Sequence, residues 1–155
     1  MTQERPTRKA MRRKAPEIIG GTLADDNHAV LSLASDTDDG PLQHRRTPCP
    51  ECPWRKDAPK GAFPAEAFRV SATTAYDMAD SMFGCHMSGA GEAHRTCAGF
   101  LLRGAQHNLL VRLAAAYERY DPETVSSTVE LYEDYRTMAI ANGVDPEDPA
   151  IAPCR

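Results

Sequence analysis

Cys49 and Cys52 stand in the run Pro48-Cys-Pro-Glu-Cys-Pro-Trp-Arg55, and Cys85 and Cys97 follow downstream. Two thiolates at C-x-x-C spacing can grip one metal ion through a single turn. Two more from a distant segment complete a tetrahedral site and close a long loop. The full spacing is C-x2-C, then 32 residues, then C-x11-C, which differs from the paired C-x-x-C of a zinc ribbon. His86 and His94 lie in the stretch between the last two cysteines, so either could replace one sulfur or hydrogen-bond to the site. Zn2+ and a [4Fe-4S] cluster both accept four thiolates. Zinc is placed first because C-P-x-C is a frequent zinc-knuckle turn. A cluster is placed second, with Trp54 and Phe100 as apolar cover for its sulfurs. Ordinary core packing suits these two rings equally well.

Two other readings of the cysteines compete. A redox dithiol at Cys49 and Cys52 wants the first cysteine at a helix N-terminus after a strand. Here prolines flank and interrupt the motif, and no βαβ pattern precedes it. Cysteines also serve as small core residues, but a polar, proline-rich loop is a poor place for one. Cys154, next to the C-terminus, is expected to be free.

Catalysis finds less support. A catalytic metal needs an open coordination position and a general acid or base nearby. His86, Glu92 and His94 could supply such groups. The zinc-deaminase signature is incomplete, because no H-x-E precedes Pro48-Cys-Pro-Glu-Cys52. No phosphate loop, nucleophile elbow or paired-carboxylate motif is present. His107 and Arg112 are expected on the surface. A non-enzymatic binding or regulatory protein is therefore expected first, an iron–sulfur redox or sensor protein second, and a small metal-dependent enzyme third.

The elements around the cysteines should be mostly helical. Pro48, Pro50, Pro53, Pro59, Pro64 and Gly61 forbid regular helix over 48–64. Short helices are expected over 64–70, burying Phe63 and Phe68, and over 75–82, with Met78 and Met82 on its apolar edge. Glycines make 84–96 a loop, and Cys97 opens a helix whose dipole would favour the thiolate. The clearest periodicity lies in 106–119, where Leu109, Leu110, Leu113 and Tyr117 share a face. Asp121-Pro122-Glu123 then reads as a helix start. That helix is expected to run to Asn142, with Val125, Val129, Tyr132, Tyr135, Met138 and Ala139 on its stripe and Gly143 as its stop. The expected fold is mainly α: a small metal-stabilised helical domain over 48–143, with an irregular cysteine-rich first half. A disordered tail is expected over 1–47, containing a short strand or docking segment at 29–34, and coil over 144–155.

The chain has 155 residues and a formal net charge of -4. Residues 1–14 hold a local +5, leaving -9 for the remainder. A short basic arm on an acidic body suggests that Arg8, Lys9, Arg12, Arg13 and Lys14 touch an anion such as nucleic acid, although a solubilising tail would look the same. A protein partner is also expected. No run of about 18 apolar residues points to a membrane span, and the basic N-terminus has no apolar core behind it, so a cytoplasmic protein with reduced thiols is expected.

Pro48-Cys-Pro-Glu-Cys-Pro-Trp-Arg55, Phe83-Gly-Cys-His86 and Cys97-Ala-Gly-Phe-Leu-Leu102 together resemble an uncharacterised family of small proteins common in actinobacteria and their phages. The resemblance spans roughly 47–150. It implies that Cys49, Cys52, Cys85, His86 and Cys97 form one constellation, and it carries no function. The first run is also superficially similar to the C-x-x-C-P-V-R of actinobacterial WhiB-like iron–sulfur regulators. The cysteine order and spacing depart from theirs, and their G-V/I-W-G-G turn is missing.

Overall fold

The computed structural model describes residues 17–33, 40–87 and 94–155. Strands β1 (Ile18–Leu23) and β2 (Ala29–Leu33) pair antiparallel, with Leu23 opposite Ala29. Four helices follow: α1 (Ala65–Ser71), α2 (Ala98–Arg103), α3 (Leu109–Ala116) and α4 (Tyr135–Ala141). Single 3-10 turns cover Ala72–Ala75 and Pro122–Thr124. No helix among the described residues is long and apolar enough to cross a membrane.

The expected mainly α, metal-stabilised domain is corrected by this architecture. The helices have six to eight residues each, and turns and extended pieces join them over long stretches. No group of His, Cys, Asp or Glu among the described residues stands ready to hold an ion. The segment expected as a tail contains the β1–β2 hairpin, with Ile18, Ile19, Leu23 and Leu31 exposed.

Competing hydrogen bonds explain the lost helices. The expected helix from Pro122 to Asn142 survives only as the 3-10 turn and α4. Between them the backbone bonds elsewhere: Ser126 N–H donates to Arg46 O, and Tyr132 N–H to Trp54 O, each at 3.0 Å. Glu130 O accepts from Lys56 N–H at 3.0 Å, and Arg55 bridges to Leu131 in antiparallel sense. Val125, Thr128 and Val129 are β-branched, so this stretch gives up little by leaving the helix. Asp134 then starts α4 by accepting from Thr137 N–H at 2.7 Å, and Gly143 ends it with φ of 102°. A side chain there would be strained.

The expected helix over 75–82 is absent too. Met78 has a φ of 57°, and its N–H donates to His107 O. α3 is present but rotated. Val111 and Ala114 face the core, whereas Leu113 is exposed and Tyr117 more so. Asn108 sets that rotation. Its buried amide donates to Thr74 O (3.0 Å) and Ser81 O (2.7 Å), while its oxygen caps α3 through Val111 N–H (3.0 Å).

One core joins these pieces, with Trp54, Phe100, Tyr135, Met138 and Ile151 fully buried at its centre. The C-terminal segment expected as coil docks into it. Ile151 is fully buried, Tyr76 bridges to Cys154, and Arg155 N–H donates to Ala75 O at 2.9 Å.

Candidate metal centre

The Cys49–Cys52 loop is two successive turns. Cys52 N–H donates to Cys49 O and Arg55 N–H to Cys52 O, both at 3.0 Å. Pro50 and Pro53 have no N–H to offer, so they fit where no donor is required. Arg55 locks the loop from outside. Its guanidinium forks onto Asp57 at 2.7 Å and reaches Cys49 O at 3.4 Å.

Three extended pieces carry the other two cysteines. Thr96 N–H donates to Gln43 O and Arg45 N–H to Thr96 O, both at 2.9 Å. On the other side Cys85 N–H donates to Arg95 O at 2.7 Å and Cys97 N–H to Phe83 O at 3.0 Å. His44, Thr96 and Gly84 are the bridge residues of this small sheet. Cys97 then starts α2.

These elements bring the expected cysteines together. Cys52, Cys85 and Cys97 are buried, Cys49 is half-buried, and all are free thiols. Cys52 Sγ and Cys97 Sγ lie 3.7 Å apart, too far for a disulfide. Cys49 interacts with the Cys85 thiol, and its Sγ lies 4.0 Å from His86 Nε2. Four sulfurs thus converge in adjoining pairs, although no three candidate ligands already form an ion-holding group.

Electrostatics treat the sulfurs differently. Burial, then the Cys52 and Cys85 sulfurs, pushes the Cys49 thiol up to about 11. The Cys52 thiol is lowered, first by a hydrogen bond from Cys97, then by the backbone N–H groups of Trp54 and Gly99 and the charge of Arg55. Cys97 moves far the other way, raised by its hydrogen bond with Cys52, by burial and by the charge of Cys52. Of the two, Cys52 is the sulfur whose surroundings favour the thiolate, against the opposing effect of its burial. A bound divalent cation would reverse the mutual repulsion and favour ionisation of all four.

The histidines part company. His86 sits beside Cys49 and meets Phe63 edge-on at 4.9 Å. Burial lowers its pKa; Glu51 opposes the shift and Arg45 adds to it. His94 packs its ring on Gly84, and burial lowers its pKa. Trp54 and Phe100 lie in the same core cluster as Cys52 and Cys97, with ring centroids 6.4 Å apart. Both pack against Phe83, and Trp54 also against Tyr135, so they are core side chains that border the site. His107 and Arg112 are exposed, as expected. The basic arm of Arg8, Lys9, Arg12, Arg13 and Lys14 lies outside the described residues, as does Glu92.

Arg55 and Gly99 belong to the site, although neither residue type announces a ligand. Their signal is position, since Arg55 closes the first cysteine run and Gly99 lies two residues beyond Cys97.

No curated protein and no solved structure is detectably similar to the chain. A family model described as a family of unknown function (DUF6283) matches residues 44–155. That span holds the cysteine loop, the bridge residues His44, Gly84 and Thr96, and α1 to α4. The chain therefore belongs to this family of unknown function.

Proposed function

We propose that the chain is a small cytoplasmic binding protein that holds one zinc ion through Cys49, Cys52, Cys85 and Cys97, and that acts through partners rather than by catalysis. The 3.7 Å separation of the Cys52 and Cys97 sulfurs carries this reading. Tetrahedral zinc with Zn–S bonds of about 2.3 Å needs its sulfurs about 3.8 Å apart, so this pair is already at ligand spacing. Cys49 and Cys85 have only to close in. A four-iron cluster seats each thiolate on its own iron and holds the sulfurs well apart, so the close pair favours a single ion over a cluster. The N–H groups of Trp54 and Gly99 at Cys52 are the kind of outer contacts that steady a metal-bound thiolate. The actinobacterial or phage origin implied by the motif resemblance belongs with this proposal.

The test is metal analysis with an absorption spectrum on protein purified without added metal under anaerobic conditions. A colourless sample with about one zinc per chain is expected. A brown sample with iron and sulfide would replace this reading with the cluster, and a metal-free folded protein would end it.

A further inference from the structure

A cavity of about 730 Å³ opens beside the cysteine loop, and its lining includes Cys49 but none of Cys52, Cys85 and Cys97. Pro41, Arg46, Thr47 and Pro50 line it too and are exposed, so the cavity is open to solvent. Cys49 is half-buried, whereas Cys52, Cys85 and Cys97 are buried. A small solute that reaches the site through the cavity therefore meets the Cys49 sulfur first. Thiol oxidation is decided by such access together with thiolate character.

The other sulfurs decide what an oxidised Cys49 would meet. Cys52 and Cys97 lie against each other at 3.7 Å, which leaves Cys85 as the neighbour of Cys49. The Cys85 thiol interacts with Cys49. The residue after Cys85, His86, sets its ring nitrogen 4.0 Å from Cys49 Sγ. Backbone hydrogen bonds hold both partners in place. Cys49 O accepts from Cys52 N–H at 3.0 Å, and Cys85 N–H donates to Arg95 O at 2.7 Å. Cys154 is the contrast, because it is half-buried like Cys49 but its thiol faces Ala72 O at 3.6 Å and not another sulfur.

We propose that Cys49 and Cys85 form the oxidation site of this centre, where a peroxide entering through the cavity joins them in a disulfide and releases the zinc. The release rests on the proposed zinc site, whereas the pairing rests on the cavity and the sulfur contacts. Zinc holds its ligands as thiolates, the form that attacks peroxides. The Cys49 sulfur attacks a peroxide oxygen: an S–O bond forms, the O–O bond breaks, and the leaving hydroxide takes a proton to become water. The Cys85 sulfur then attacks the Cys49 sulfenic acid. An S–S bond forms, the S–O bond breaks, and the second hydroxide leaves with a proton as water. The two thiolates lose two electrons in all, and the peroxide takes them up. Disulfide sulfurs lie about 2.05 Å apart, against the roughly 3.8 Å that shared zinc ligation needs. Only Cys52 and Cys97 then remain as ligands, too few to keep zinc, and each takes up a proton as the ion leaves.

Hydrogen peroxide added to the full-length chain tests this, with Cys154→Ser in place so that only the four sulfurs of the site can respond. A chromogenic chelator reads zinc release, and a non-reducing peptide map reads which cysteines are joined. Loss of about one zinc per chain is expected, with Cys49–Cys85 as the first disulfide and with Cys52 and Cys97 still open to alkylation after denaturation. Dithiothreitol followed by zinc should restore four thiols and the bound ion. Thr47→Trp, at the exposed edge of the cavity, should keep the zinc but slow its release several-fold. Zinc measured before peroxide is added tests the zinc reading separately. A reduced chain without zinc ends that reading, and the peptide map of the same sample still decides the pairing. Resistance of all four thiols to excess peroxide, a first disulfide between any other two cysteines, or zinc retained with Cys49 and Cys85 joined would each overturn the proposal. An unchanged release rate in Thr47→Trp would overturn the cavity as the route.

Discussion

Gly99 lies directly against Trp54: a Cβ added to Gly99 would meet the Cβ of Trp54 at 2.5 Å. Gly104, at the other end of α2, makes the same approach to the far edge of the indole, also at 2.5 Å. The helix that begins just after Cys97 is therefore laid flat on the tryptophan that follows Cys52. This contact brings the Gly99 N–H to the Cys52 sulfur.

Gly99→Ala should accordingly push α2 off Trp54. Overpacking of this kind costs about 1–3 kcal/mol. Denaturant unfolding should show a lower midpoint with an unchanged slope. An unchanged midpoint would mean that the helix and indole are not in this contact.

On the proposed zinc site, Cys52→Ser and Cys97→Ser should each abolish stoichiometric zinc retention, read by metal analysis of the folded variants. Cys154→Ser should retain full zinc, since its thiol faces Ala72 O at 3.6 Å, away from the other sulfurs. Folded, zinc-loaded Cys52→Ser protein would contradict the four-cysteine site.

His94→Ala and His86→Ala should differ. His86 lies 4.0 Å from the Cys49 sulfur, so its loss should weaken zinc retention against a chelator, by about 10-fold if it supports the site from outside. His94 packs on Gly84, so its loss should change stability but leave zinc retention alone. Chelator competition on both variants reads this directly, and identical zinc loss in the two would refute it.

Asn108 offers a test of the α3 rotation. Asn108→Ala deletes two donated bonds and one cap, each worth about 1 kcal/mol. Asn108→Asp keeps the cap but sets a carboxylate oxygen against the carbonyls of Thr74 and Ser81. The aspartate variant should therefore be the less stable of the two near neutral pH, and equilibrium unfolding would expose the reverse order.

Tyr135 should make stability pH-dependent in alkali. Its hydroxyl donates to Phe68 O at 2.8 Å, and burial, with smaller contributions from Cys154 and Tyr76, raises its pKa well above the ordinary value. A raised folded-state pKa gives stability that is complete below the unfolded pKa of about 10 and is lost as pH rises beyond it. Tyr135→Phe should cost about 1 kcal/mol at neutral pH. That deficit should shrink above pH ~10, where the wild type alone must suppress an ionisation. A deficit constant with pH would rule out the buried hydroxyl as a source of alkaline sensitivity.

Local signals were legible wherever one residue's chemistry suffices. Pro64 precedes α1 as expected, Cys97 precedes α2, Asp121 caps the turn that Pro122 opens, and Gly143 stops α4. The helical stripe from Val125 to Ala139 misled because periodicity cannot reveal competing partners. Trp54 O, Arg46 O and the Lys56 N–H lie some 70 to 80 residues away in sequence, and they claim the backbone groups a helix would have used. Leu113 and Tyr117 misled about α3 because a buried polar residue, Asn108, fixes how so short a helix is seated and leaves both of them exposed.

The sequence by itself determined which atoms could do chemistry: the sulfurs of Cys49, Cys52, Cys85 and Cys97, held in a proline-rich loop that cannot form a helix. Only the tertiary structure decided how they meet, with Cys52 against Cys97 and Cys49 beside Cys85 and His86, while His94 packs on Gly84. It also decided that Arg45 and Arg95, unremarkable in the sequence, line one cavity beside the Cys49 loop. The physical reason is that side-chain type is local, whereas the face a side chain occupies is set by backbone hydrogen bonds to strands distant in the chain.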